Sequence, residues 1–393
     1  MEQKLEDENL SEPMSSSYAD GLSPYDNKGK LGLKEIFDSD EEVERKLNVL
    51  VEWVKEAKHV VFHTGAGIST SAGIPDFRGP QGVWTLEAKG EKPKFNKSFN
   101  EVTPTKTHLA IKHLIDHGFA KFVISQNIDG LHLRSGLSRH QFAELHGNMF
   151  TEQCDKCSGL YVRGSATTSV GCKYLGKSCP GKKGRMCRGK IKDTILDWEH
   201  NLPEDEICMA EWHSNLADLS ITLGTTMQIV PSGNLPLLAK KRGGRLVVCN
   251  LQPTKQDKKA DLIINTYVDN IMEGLMRLLD LEFQPFDPSA DPTKKAASEI
   301  VPWDFPRPIF NSTKRLYMDK CTKVGKRSSS TNDNGVGKRK KKIKEEDAGK
   351  DNVEEKANFV KEECAVAIEN GNVSEKTTNN IVCTEIKEEI IPF

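Results

Sequence analysis

The chain has 393 residues, 36% of them hydrophobic and 29% charged, with a net charge of -1. That is enough apolar material for one sizeable core and too little to pack the whole length. No run approaches the ~20 apolar residues that span a bilayer, and the start Met1-Glu2-Gln3-Lys4-Leu5-Glu6-Asp7 is acidic and unlike a secretory leader. A membrane protein and a conventionally secreted one are therefore not expected.

In chain order, residues 1–24 are expected to be partly disordered. Lys46 to Lys58 has helical spacing, with Leu47, Leu50, Val51 and Val54 on one face. A β-branched run follows at 59–64 and stops at Gly65. The stretch Gly65-Ala66-Gly67-Ile68-Ser69-Thr70 then reads as a glycine turn opening a helix. Glycine there lets backbone N–H groups approach a pyrophosphate, and Ser69 and Thr70 could cap the helix or touch phosphate. By itself such a loop is an even wager for nucleotide binding. The runs 122–125, 219–223, 246–249 and 262–264 resemble the first strand and end in polar or glycine tips, and a helix is expected from Val268 to Leu279. Near-continuous apolar runs alternating with helices predict an α/β fold, a Rossmann-like parallel sheet whose ligands bind beyond the strands' carboxyl ends. The acidic residue that usually meets an adenosine ribose is not evident, which argues against an ordinary dehydrogenase; Asn250 is a candidate in its place.

Between Cys154 and Cys187 lie five of the chain's ten cysteines. Without an export signal, such clustering points to metal rather than disulfides. Cys154 and Cys157 form a C-x-x-C knuckle. Cys172, Cys179 and Cys187 compete for the two remaining places of a closed, structural zinc site. The C-x7-C pair Cys179/Cys187 favours those two and leaves Cys172 as the spare, although the sequence does not decide between Cys172 and Cys179. The segment has no apolar repeat, so metal would supply its folding energy. Its lysines and arginines also allow a zinc-ribbon nucleic-acid binder.

After about Phe310 apolar periodicity fades, and 305–393 is expected to be a disordered tail. Between Lys314 and Lys344 there are 12 basic residues and 2 acidic ones; from Glu345 onward 13 are acidic and 5 basic. The run Lys338-Arg339-Lys340-Lys341-Lys342 reads as a nuclear import signal or phosphate-binding patch, and could bind nucleosomal DNA in a salt-sensitive way. Three repeats, at Ile343–Glu346, Val360–Glu363 and Ile386–Glu389, resemble acceptors for a small ubiquitin-like modifier.

Taken together, Gly65-Ala66-Gly67-Ile68-Ser69, Gly73-Ile74-Pro75-Asp76-Phe77-Arg78, Thr107-His108, Gln126-Asn127-Ile128-Asp129, Leu145-His146-Gly147 and the cysteines resemble the sirtuins over roughly residues 25–285. Tyr18 to Tyr25, Gly82-Val83-Trp84 and Ile195 to Glu199 place the resemblance nearest the sirtuin 6 branch. The resemblance implies an NAD-binding domain over 25–146 and 195–285, and a zinc module over 147–194. It implies NAD-dependent deacylation of lysine, yielding nicotinamide and O-acyl-ADP-ribose, with histones, histone H3 foremost, as substrates on chromatin in the nucleus. Mono-ADP-ribosyl transfer in the same pocket, or a non-catalytic NAD sensor on chromatin, are the alternatives.

Residue by residue, His146 resembles the general base, with a pKa of ~6.5 suited to the task. Asn127 and Asp129 match positions that hold the nicotinamide and its ribose. Gln126 matches a ribose contact, and Ala66 and Thr70 match the phosphate loop. Asp76, Phe77 and Arg78 match the cofactor-side lid, and Trp84 a residue over the nicotinamide ribose. Gly224 and Thr226 fall beside the diphosphate or adenosine ribose, Asn250 and Gln252 on the adenosine side, and Val268 at a backbone contact to adenine. Zinc is expected on Cys154, Cys157, Cys179 and Cys187.

Overall fold

A computed structural model describes Ser23 and residues 25–93, 97–182 and 185–329, the last nine by backbone alone. The chain divides into two compact units after Met318, and every contact below lies within the first.

Six parallel strands form the main sheet: β1 (Val60–Thr64), β2 (Phe122–Ser125), β3 (Phe142–Glu144), β8 (Leu219–Leu223), β9 (Arg245–Cys249) and β10 (Leu262–Ile264), in the order β10-β9-β8-β1-β2-β3. All five residues of β1 and of β8 are buried. Their composition, apolar or β-branched but for His63 and Ser220, is what a strand covered on both faces requires. Helices Asp40–Glu56, Lys106–Asp116 and Val268–Leu278 pack together on one face. There Leu47, Leu50, Val51, Ile111, Leu114, Ile271 and Leu275 close over Phe62, Val123 and Ile221. Helices Glu204–Leu216 and Leu237–Lys241 lie against β2, β3, β8 and β9. The sheet is thus a parallel α/β layer, as the sequence predicts.

The first helix begins six residues before the predicted Lys46. Ser39 caps it by accepting the Glu42 N–H at 3.3 Å, and Asp40, Glu41 and Glu42 complement the positive end. A polar first turn of this kind leaves no apolar signal. The glycine turn after β1 does not open an α-helix. It forms two single 3-10 turns, Ala66–Ile68 and Thr70–Ala72, ended by Gly73 at φ 95°.

The second sheet is antiparallel: β4 (Thr151–Cys154), β5 (Leu160–Val162), β6 (Tyr174–Ser178), β7 (Lys190–Asp193) and β11 (Val301–Pro302), in the order β11-β5-β4-β7-β6. Its own buried cluster is Cys154, Tyr161, Cys179 and Ile191, while Val162 of β5 joins the core of the main sheet. The disordered tail expected over 305–393 does not begin at 305: ordered structure continues past the strand at 301–302. Trp303, Phe305 and Phe310 are buried, and a helix runs over Arg307–Ser329. Phe310 meets Trp212 edge-on, with centroids 4.9 Å apart. Scattered aromatics between prolines show no period, yet each fills a gap left by the sheet. The rest of the expected tail, 330–393, and with it the basic run Lys338–Lys342 and the three repeats, lies outside the described residues, as does the segment before Ser23. Among the described residues no helix is long and apolar enough to cross a membrane.

Candidate active site

The strand order reverses direction at β1: the chain moves outward through β2 and β3, then returns to β8 on the other side. The crevice between the carboxyl ends of β1 and β8 is the topological switch point, the place where such sheets bind ligands. Its floor is made of glycine. A Cβ on Gly65 would come within 2.7 Å of Thr225 and 2.8 Å of the Gly224 carbonyl, and one on Gly67 within 2.8 Å of Gly224 Cα. Gly224 itself has φ +60°, where a side chain is strained. These close approaches make a groove of bare backbone, suited to a pyrophosphate. Ala66 is half-buried at its edge and Thr70 is exposed, its hydroxyl donating to the Gly67 carbonyl at 3.2 Å.

Ser69 does not cap a helix or face outward. It is fully buried, and its hydroxyl donates to Asp129 Oδ2 at 2.7 Å. The other carboxylate oxygen accepts the Leu131 N–H at 2.9 Å. Burial pushes the Asp129 carboxyl up, against these two bonds and the Arg134 charge. Asn127 joins the same knot, donating from Nδ2 to the Gly65 carbonyl at 3.1 Å and to Ser69 Oγ at 3.3 Å. Asn127 and Asp129, at the tip of β2, are thereby tied to the glycine turn after β1.

His146 stands two residues beyond β3. Its Nδ1 lies 2.9 Å from the Gln126 carbonyl, and because a carbonyl only accepts, Nδ1 carries the proton. Nε2 is left as the lone-pair nitrogen, 3.3 Å from Ser232 Oγ. Burial holds the imidazole below its ordinary value and the bond to Gln126 opposes this, so the ring is neutral at pH 7. Gln126 donates from Nε2 to Thr225 Oγ1 at 3.2 Å, so its backbone orients the histidine while its side chain reaches β8's tip.

One wall is aromatic. Trp84 lies 4.9 Å from Phe77 and 5.4 Å from Trp198, and Tyr25 stacks on Trp198 at 4.5 Å. The Arg78 guanidinium sits 4.6 Å over Trp84, while its Nε donates to the Lys28 carbonyl at 2.9 Å. Burial lowers Arg78 to about 10, which leaves it charged. Asp76 shapes the turn beneath, accepting the Gly79 N–H at 2.8 Å. On the far side, Gln252 donates to the carbonyls of Leu33 and Arg78, and Asn250 donates to the Gln252 carbonyl at 2.7 Å. Thr226 is half-buried beyond β8, and its carbonyl accepts the Lys255 N–H. The Val268 side chain is in the core, so only its backbone can meet a ligand.

Residues expected near one ligand are thus gathered along the tips of β1, β2, β8 and β9. Ser232 and Thr225 were not anticipated; Thr225 lies between Gly224 and Thr226 in the polar tip of β8, whereas Ser232 gave no signal.

In the second sheet, the sulfurs of Cys154, Cys157, Cys179 and Cys187 all lie within 4.8 Å of one another. Backbone N–H groups of Lys156, Cys157, Gly181 and Gly189 point at these sulfurs at 3.3–3.5 Å. Such donors stabilise thiolates, and four sulfurs with no open place fit a structural zinc. Cys172 lies apart, with its sulfur toward the Ile195 carbonyl at 3.6 Å.

A family model described as "Sir2 family" matches residues 65–231. The chain is 57% identical over 308 residues to "NAD-dependent protein deacetylase Sirt6" of Drosophila melanogaster, covering 77% of this chain and 96% of that relative. It is 47% identical to "NAD-dependent protein deacetylase SRT1" of Oryza sativa subsp. indica over 70% of this chain, and spans 56% of that longer relative. A solved structure described as "Sir2-p53 peptide-NAD+" is 29% identical, with a TM-score of 0.47, over 60% of this chain and 99% of its own. With the Drosophila relative matched over nearly its full length, the chain belongs to the sirtuin family.

Proposed function

We propose that this protein is an NAD-dependent protein-lysine deacetylase, and more finely a chromatin enzyme of the nucleus acting on acyl-lysines of histones, histone H3 foremost. The observation that carries the catalytic part is His146, a neutral imidazole whose Nδ1–H is spent on the Gln126 carbonyl, leaving Nε2 free to take a proton beside the switch-point crevice. The relatives' names support the reaction class. The basic run at Lys338–Lys342 in the sequence supports the nuclear address and a contact with DNA phosphates.

NAD, when bound, supplies an electrophilic ribose carbon with nicotinamide as leaving group. The chain's part is to place and protect. The bare backbone of Gly65, Gly67 and Gly224 would cradle the diphosphate, with Ala66, Thr70 and Thr226 at its margins. Asn250, Gln252 and the backbone of Val268 would take the adenosine end. Asn127 and Asp129, immobilised through Ser69, would hold the nicotinamide end. Phe77, Arg78 and Trp84 would exclude water from the reacting carbon. His146 would accept the ribose hydroxyl proton. Zinc on the four cysteines takes no part in any step; it holds the second sheet together.

The test is incubation with NAD and acyl-lysine peptides, read by mass spectrometry. Loss of acyl from the peptide with matching release of nicotinamide is expected. Gain of ADP-ribose on protein would favour the transferase alternative, and no turnover at all would favour an NAD sensor. His146→Tyr should lower nicotinamide release by roughly 10²-fold or more while leaving zinc content unchanged. Unchanged turnover in that variant would remove His146 as the base.

A further inference from the structure

The turn that carries His146 is anchored by a buried acid that the reaction itself does not use. Glu144 is the last residue of β3 and Asn148 lies four residues on; both are buried, at 6% and 1% exposure. Asn148 Nδ2 donates to Glu144 Oε1 at 2.6 Å, so the two side chains bridge the base of the 145–147 turn. The amide's other end is also engaged. Asn148 Oδ1 accepts the Phe150 N–H at 2.7 Å and lies so near Gly130 that a Cβ there would come within 2.7 Å of it. Gly130 follows Asp129, and the Met149 N–H donates to the Ile128 carbonyl at 2.8 Å. The Asn148 amide thus packs against Gly130, and the neighbouring backbone bond from Met149 to Ile128 joins its segment to the loop bearing Asp129. The turn has no slack elsewhere: Leu145 donates to Ser125, the His146 carbonyl accepts the Leu196 N–H at 3.1 Å, and a Cβ on Gly147 would overlap the Thr194 carbonyl.

We propose that Glu144 is a positioning residue for His146: through Asn148 it holds the imidazole in register with the Asp129 loop. The proposal rests on the assignment of His146 as the base.

Charges around Glu144 decide the form in which it acts. Three charged groups face it: Glu206 from helix Glu204–Leu216, Arg139 from the turn before β3, and Asp129 from the loop after β2. Arg139 is already committed. It pairs with Glu206 Oε1, donates to the carbonyls of Trp303 and Phe142, and lies 3.5 Å over the Phe305 ring. Glu206 Oε2 accepts the Glu144 N–H at 2.9 Å. Burial pushes Glu206 up, against the Arg139 charge and the Glu144 N–H that favour its carboxylate form; it is Glu206 that takes the guanidinium, and among the described residues no cation pairs with Glu144. Burial first, then the Glu206 charge, push Glu144 up to about 8. It is mostly the neutral acid at pH 7 and takes on charge, facing two other acids, as pH passes through about 8.

Stability follows with a definite sign. The folded chain keeps a proton on Glu144 that the unfolded chain releases in the ordinary glutamate range. Stability therefore declines as pH rises from that range to about 8, and is level in this respect beyond it. Glutamine mimics the neutral acid and should abolish the decline.

The experiment uses the full chain and compares Glu144→Gln, Glu144→Ala and Asn148→Ala. The alanine variants should lower kcat by roughly tenfold with KM for NAD and peptide within about twofold, a split that marks misplacement of the base rather than weaker binding. Glu144→Gln should keep at least about half of wild-type kcat at pH 7, lose the wild-type fall in Tm between about pH 5 and 8, and lose the fall in kcat as pH passes through about 8. Nitrogen-15 NMR of His146 without NAD gives a readout independent of turnover. The Nδ1–H tautomer should persist in Glu144→Gln and give way to a tautomer mixture in the alanine variants. Wild-type kcat and an unchanged tautomer in Asn148→Ala would overturn the proposal, as would Glu144→Gln falling as far as Glu144→Ala. If wild type proves inactive on every acyl peptide while the tautomer still depends on Glu144, the positioning role stands and the deacetylase assignment falls. Should Glu144→Ala fail to fold, Asn148→Ala and Glu144→Gln still decide.

Discussion

The two sheets of this chain are stabilised by different means. The parallel sheet buries whole strands, with Phe62, Phe122 and Phe142 at 0–1% exposure, and its helices close over both faces. The antiparallel sheet has β6 with four of five residues exposed and a buried cluster in which two of the four members are cysteines. One region is a core that would hold its shape from apolar area alone. The other is a frame whose centre is a set of sulfurs. Removing a single contact should therefore be graded in the first and all-or-none in the second.

The largest effect should come from breaking the frame. Cys157→Ser, or prolonged treatment with a chelator, should lower bound zinc by at least about tenfold and expose 151–193 to limited proteolysis, with the parallel sheet left intact by circular dichroism. Simultaneous melting of both sheets would erase the contrast. A smaller effect is expected where the parallel sheet meets its ligand. Gly224→Ala places a side chain at φ +60° and 2.7 Å from the Gly67 backbone. It should cost roughly 1–3 kcal/mol of stability and weaken NAD binding by about tenfold, measured by thermal unfolding and calorimetric titration. Unaltered affinity would mean that the glycine groove is not the diphosphate site. Smallest of all should be Cys172→Ser. Its sulfur lies outside the four-sulfur cluster, so zinc content should be unchanged and stability within about 0.5 kcal/mol. A loss of metal there would put Cys172 back among the ligands.

The same contrast explains what could be read from the sequence. Five strands of the parallel sheet announce themselves because burial on both faces demands runs such as Val60-Val61-Phe62. The edge strand Phe142–Glu144 gave no such signal: Phe142-Ala143-Glu144 holds no β-branched residue and ends on an acidic one. The antiparallel strands are charged, glycine-bearing and short, so only the cysteine spacing betrays that region. At the site, the glycine turn and the tips of β2, β8 and β9 were legible as polar ends of apolar runs. What those residues do to one another was not. That Ser69 turns inward to Asp129 depends on loops meeting across the sheet edge, and no local pattern encodes that; that Asn148 reaches back four residues to Glu144 depends on the fold of the turn between them.

The grip of Trp303 and Phe305 on Arg139 has a practical corollary. A shortened chain ending at residue 285, where the family likeness alone would suggest a cut, would strip the guanidinium of a carbonyl acceptor and its aromatic cover while keeping it beneath β3. Such a fragment should be judged by its solubility and melting behaviour before its silence in an assay is blamed on chemistry, because residues 286–305, lost with everything after them, are structural masonry behind the histidine rather than dispensable trailing peptide.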